Sequence, residues 1–117
     1  MTTTGYPHLR YVDAVHATLA AAGQPPARVE ATSTDGRELL ARFEWPDVTV
    51  QWSHLDGWKH DAPHSGGALD LDRAASPAAV ATCVALLLDG FDPLSSEVRW
   101  SEAGEFDAAL SSWEARA

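Results

Sequence analysis

Between Arg28 and His60 the apolar residues recur at every second position, in runs broken by turn-forming residues, and that period fixes the fold class. Val29, Ala31 and Ser33 alternate with Arg28, Glu30 and Thr32. Leu39, Ala41, Phe43 and Trp45 alternate with Glu38, Arg42 and Glu44, with Leu40 the exception. Val48, Val50, Trp52 and His54 alternate with Thr49, Gln51 and Ser53. Such runs are strands with one buried and one wet face.

Turn chemistry sets the registers, because a slip of one residue would turn an apolar set toward water. A two-residue turn at Pro46-Asp47 places Trp45 opposite Val48, Phe43 opposite Val50 and Ala41 opposite Trp52. At Leu55-Asp56-Gly57, a two-residue turn would put Trp58 on the face opposite Trp52. A three-residue loop with Gly57 in the left-handed conformation instead pairs His54 with Trp58 and Trp52 with His60, and is preferred. The same reasoning at Thr34-Asp35-Gly36 pairs Val29 with Ala41 and Ala31 with Leu39. A four-stranded antiparallel meander is expected, with Ala68 to Leu71 as a short fifth strand.

Helices flank the meander. From Tyr6 to Ala22, residues Leu9, Val12, Val15 and Leu19 keep helical spacing, and Gly23 with Pro25-Pro26 ends the run. Ser76-Pro77 opens a second helix, which closes near Leu88 at Asp89-Gly90. It is apolar nearly all round, which predicts burial on more than one side. After a turn at Asp92-Pro93, Phe106, Ala109, Leu110 and Trp113 mark a third, amphipathic helix. The expected architecture is α+β: an N-terminal helix, a four- to five-stranded antiparallel meander sheet, and two C-terminal helices packed on one sheet face.

The 117 residues suit one domain, spanning 1–117, with residues 1–5 as a loose tail and 89–117 as an acidic helical segment. A formal charge of −9 repels phosphate backbones and anionic lipid, so no direct nucleic-acid or membrane partner is expected. Cys83 is the only cysteine, which excludes an internal disulfide and a cysteine tetrad for zinc. MTTTGYPHLR is no signal peptide, and Ala78 to Leu88 is too short for a bilayer. A cytoplasmic location is expected.

The segment Phe43 to His64 holds three of the five tryptophans and three of the five histidines, the one concentration of such side chains in the sequence. Three imidazoles, His54, His60 and His64, could hold zinc with an open fourth position. Their spacing matches no established zinc signature, and packing of these histidines beside tryptophan is the plainer expectation. His60 and Asp61 are consecutive strand residues and point to opposite faces, which denies them a direct bond. Asp70 and Asp72 alternate with leucine as an edge strand would. Cys83 lies in the apolar helix, where a thiol is protonated and inert. Neither a nucleophile elbow nor a phosphate loop is present, and Gly66-Gly67 alone reads as a turn. No catalytic residue and no cofactor emerge.

Trp45, Trp52 and Trp58 are expected in the core. Trp100 and Trp113 stand in the acidic C-terminal part together with Phe106, and these three are the candidate partner-binding residues, facing a basic protein or a second copy of the chain. The layout also resembles a group of small actinobacterial (Streptomyces-like) proteins of unassigned function. The likeness rests on Tyr11-Val12-Asp13-Ala14-Val15, Val48-Thr49-Val50-Gln51-Trp52, Gly57-Trp58 and Ala75-Ser76-Pro77-Ala78-Ala79-Val80; it spans residues 10–90 and implies no activity. The expected function is a non-catalytic protein-interaction module, such as an accessory subunit, adaptor or inhibitor of a larger assembly. The alternative is a metal- or small-ligand-binding enzyme centred on His54, His60 and His64.

Overall fold

The computed structural model describes residues 6–34 and 37–116; the expected loose tail and the Asp35-Gly36 part of the first turn lie outside the described residues. Helix α1 (Leu9–Ala21) is followed by strands β1 (Arg28–Thr34), β2 (Glu38–Glu44), β3 (Thr49–Ser53), β4 (Gly57–Ala62) and β5 (Ser65–Ala68). Helices α2 (Pro77–Leu88) and α3 (Ala103–Arg116) complete the order. The strands lie side by side in chain order and pair antiparallel throughout, so the α+β meander is present with five strands.

One sheet face carries the core. Leu39, Ala41, Phe43, Val50, Trp52 and Trp58 are buried on it, whereas Arg42, Lys59 and Asp61 on the other face are exposed. The alternation read from the sequence is therefore the alternation between core and water. The Pro46-Asp47 turn has the expected register, with Phe43 opposite Val50 and Ala41 opposite Trp52.

Two hairpins differ from expectation by two residues. Val29 pairs with Phe43 and Ala31 with Ala41, because β1 stays in the ladder to Thr34, and the Arg37 N–H bonds the Thr34 carbonyl across the turn. On the other side, Trp52 pairs with Trp58 and Val50 with His60. The chain leaves the ladder at Ser53 because its hydroxyl accepts the N–H groups of Leu55 and Asp56. His54 then turns inward to Leu39. Gly57 does adopt the left-handed conformation, at φ 78°. A shift of two keeps every side chain on its face, so neither error disturbs the core.

The fifth strand is Ser65–Ala68, not Ala68 to Leu71. Pro63-His64 forms the turn that returns it to β4, and Gly66-Gly67 lies within the strand. Leu71 and Ala75 instead form single bridges to Ser96 and Arg99. Helix α2 has the expected opening: the Ser76 hydroxyl accepts the Ala79 N–H at 3.1 Å, with Pro77 following. It is covered by α1 on one side, while the segment after Gly90 covers Cys83, whose Sγ lies 3.0 Å from the Leu94 carbonyl. Ala78 and Thr82 remain exposed.

Tyr11 of α1 sits where the layers meet. Its ring lies 4.8 Å from Phe106 and 5.1 Å from Trp100, and 6.1 Å from each of Trp52 and Trp58, centroid to centroid. Its hydroxyl donates to the Ala75 carbonyl just before α2. The Trp52 indole N–H likewise donates to the Arg73 carbonyl at 2.7 Å. Tyr11→Phe keeps the ring and leaves the buried Ala75 carbonyl without that bond. It should lower the unfolding free energy by about 1–2 kcal/mol, read as a lower urea midpoint at unchanged slope. An unchanged midpoint would show that the hydroxyl contributes nothing.

Candidate functional site

The histidines are not brought together. His54 is buried; its Nδ1 accepts the Leu39 N–H at 3.0 Å, which leaves the proton on Nε2, 3.6 Å from a Glu114 carboxylate oxygen. His60 is buried beside β5, with Nε2 3.1 Å from the Ser65 hydroxyl. His64 is exposed in the β4–β5 turn. Among the described residues, no three His, Cys, Asp or Glu side chains gather as metal ligands. The His54 and His60 rings each serve a local structural bond.

One buried histidine went unnoticed in the sequence. His8, the residue before α1, stacks on Trp52 at 5.6 Å and 14° and has no solvent exposure. Its Nε2 lies 2.8 Å from the Leu40 carbonyl and donates to it. No periodic pattern marks it, since it precedes the helix and its partners come from β2 and β3.

Of the three candidate contact residues, Phe106 is a correction. It is 4% exposed, packed against Tyr11 and Trp52, and unavailable to a partner. Trp100 and Trp113 are half-buried against the core. The acids of α3 and its approach are also largely engaged. Glu102 meets Arg10 at 2.8 Å, Asp107 meets Arg99 at 2.5 Å, and Glu114 faces His54. Asp72 joins Arg99 at 3.2 Å, and these carboxylates hold that guanidinium firmly charged. An acidic, aromatic α3 therefore offers less free surface than its sequence suggests.

Apart from Leu55 in the β3–β4 turn, the exposed large apolar side chains lie one segment earlier. Helix α2 ends with Gly90 at φ 83°, its N–H bonding the Leu87 carbonyl and the Phe91 N–H reaching Leu86 at 2.8 Å. The chain beyond it has no regular structure, yet it is anchored. The Ser96 N–H bonds the Asp70 carbonyl, the Ser76 N–H bonds Val98, and the Trp100 N–H bonds Ala74 at 2.7 Å. Its backbone thus lies along residues 70–76. Phe91, Leu94 and Val98 point into solvent at 63%, 62% and 61% exposure. Asp89, Asp92 and Glu97 stand exposed among them.

A cleft of about 270 Å³ opens beside this segment. Its walls are the Pro46-Asp47 turn, the Pro63-His64 turn and Phe91-Asp92, with Val48, Leu87 and Leu88 beneath. Pockets that enclose a small-molecule ligand usually run from ~300 Å³ upward. This one lies just below that range. A second cleft of about 200 Å³ lies between Trp100, Arg10 and Glu105.

Fold and surface define an α+β domain with a one-sided core and an anchored, apolar, acid-flanked connection between its last two helices. Comparison with protein-family models, curated proteins and solved structures finds no match. No helix among the described residues is long and apolar enough to cross a membrane.

Burial and the neighbouring His54 hold the His8 ring below its usual 6.5. The unfolded chain takes a proton there near pH 6.5, and the folded chain only at lower pH, so acid favours unfolding. The urea midpoint should fall as pH drops below 6.5. His8→Gln, which retains a donor for the Leu40 carbonyl, should flatten that fall; equal slopes in the two proteins would acquit His8.

Proposed function

We propose that this chain is a non-catalytic protein-interaction module, serving as an accessory subunit or adaptor in a cytoplasmic assembly. The observation that carries this reading is the segment 91–98, where three large apolar side chains stand in solvent on a backbone tied to α2 at Phe91 and Leu94 and to the 70–76 stretch at Ser96 and Val98. Exposed apolar groups on a fixed frame are what a binding surface supplies, because little ordering entropy remains to be lost on association. The surrounding carboxylates and the overall charge of −9 favour a basic partner and speed its approach. The contact residues in this reading are Phe91, Leu94 and Val98, with Trp100 next along the chain, backed by the Phe106 ring.

The triple variant Phe91→Ser, Leu94→Ser, Val98→Ser tests it. These side chains are mostly in water already, so the melting temperature should stay within a few degrees of the parent. Capture of a specific partner from a lysate of the source cells should fall at least tenfold relative to the parent, equivalent to ~1.4 kcal/mol. Sedimentation of both proteins separates self-association from binding of a different chain. Undiminished capture by the variant would overturn the assignment.

A further inference from the structure

The cleft beside Phe91 combines features that point to one kind of occupant. Asp47 and Asp92 stand exposed in the lining, with His64 the one basic side chain that shares it, and among the described residues no Lys, Arg or His lies within ion-pair distance of either aspartate. Helix α2 ends there, so its negative pole adds to theirs, and its last turn contains no basic residue. Asp89 caps the helix at that same pole, an arrangement that repels internally. Local conflict of this kind marks function more often than stability. The floor of Val48, Leu87 and Leu88 is apolar, and Phe91 offers an exposed aromatic ring at the rim.

Resting on the interaction reading above, we propose that this cleft receives an arginine side chain of the partner protein. A guanidinium is planar and weakly hydrated, can stack on the Phe91 ring, and presents donors to carboxylates. Its aliphatic stem fits the apolar floor of a cleft of about 270 Å³. A lysine would supply the charge without the planar stacking group. The partner segment would then lay apolar neighbours of that arginine along Leu94 and Val98.

The probe is a capped tripeptide, acetyl-Leu-Arg-Leu-amide, titrated into ¹⁵N-labelled protein and followed by amide shifts. Its control is the same peptide with citrulline, an uncharged isostere, in place of arginine. Saturating shifts are expected at residues 62–65 and 90–92 with a Kd near ~1 mM, at least fivefold weaker with citrulline. Asp47→Asn with Asp92→Asn should weaken arginine binding to the citrulline level while leaving the melting temperature unchanged or raised, since like charges near a helix C-terminus are relieved. Absent shifts, or equal shifts for both peptides, would overturn the arginine site. If the triple serine variant still lost its partner in that case, the interaction surface would stand without this occupant. If the peptide bound as expected but partner capture survived the serine changes, the surface assignment would fall instead.

Discussion

The layers of the fold are joined at Tyr11. Four aromatic rings from three parts of the chain meet its faces and edge, and its hydroxyl reaches the backbone that leads into α2. An aromatic residue with a polar tip is suited to this, because the ring can lie wholly in the core provided the tip finds an acceptor. The contact joins α1, the sheet, α3 and the 74–76 stretch, and that stretch in turn bonds the backbone of the exposed segment. Packing at the centre thus sets the position of a surface far from it.

The sheet was legible because burial enforces parity. Phe43, Val50, Trp52 and Trp58 had to share a face, and they do. Position along the strands was legible only where the turn left one solution, as at Pro46-Asp47. At the third turn, Ser53 and His54 decided the matter through bonds to Leu55, Asp56 and Leu39. Nothing in the local alternation reports such bonds. Strand β5 escaped notice because Ser65-Gly66-Gly67-Ala68 has neither alternation nor β-branched residues; β4 supplies its ladder, and the sequence reads more readily as a turn.

The site was less legible than the fold. Trp100, Phe106 and Trp113 drew attention by residue type and by the acids around them. The structure places Phe106 in the core and engages Glu102, Asp107 and Glu114 with cationic or histidine partners. Phe91, Leu94 and Val98 stand at i, i+3 and i+7, a helical spacing, but Pro93 interrupts the run and no helix forms there. Large apolar residues in a segment without regular structure either fill a gap in the core or face outward, and only the backbone contacts of residues 96–100 distinguish the two. His8 was hidden for a related reason, since its Leu40 acceptor is 32 residues away.

Cys83 gives the exposed segment a built-in reporter. It is the single thiol of the chain, it is buried, and its Sγ hydrogen-bonds the Leu94 carbonyl. Burial pushes the thiol up, away from the reactive thiolate form. Reaction with a thiol reagent therefore requires the segment to lift from α2, and the rate of labelling measures how often that local opening occurs. Whatever seats itself on Phe91 and Leu94 would hold the cover closed, making protection of one sulfur atom a direct readout of occupancy.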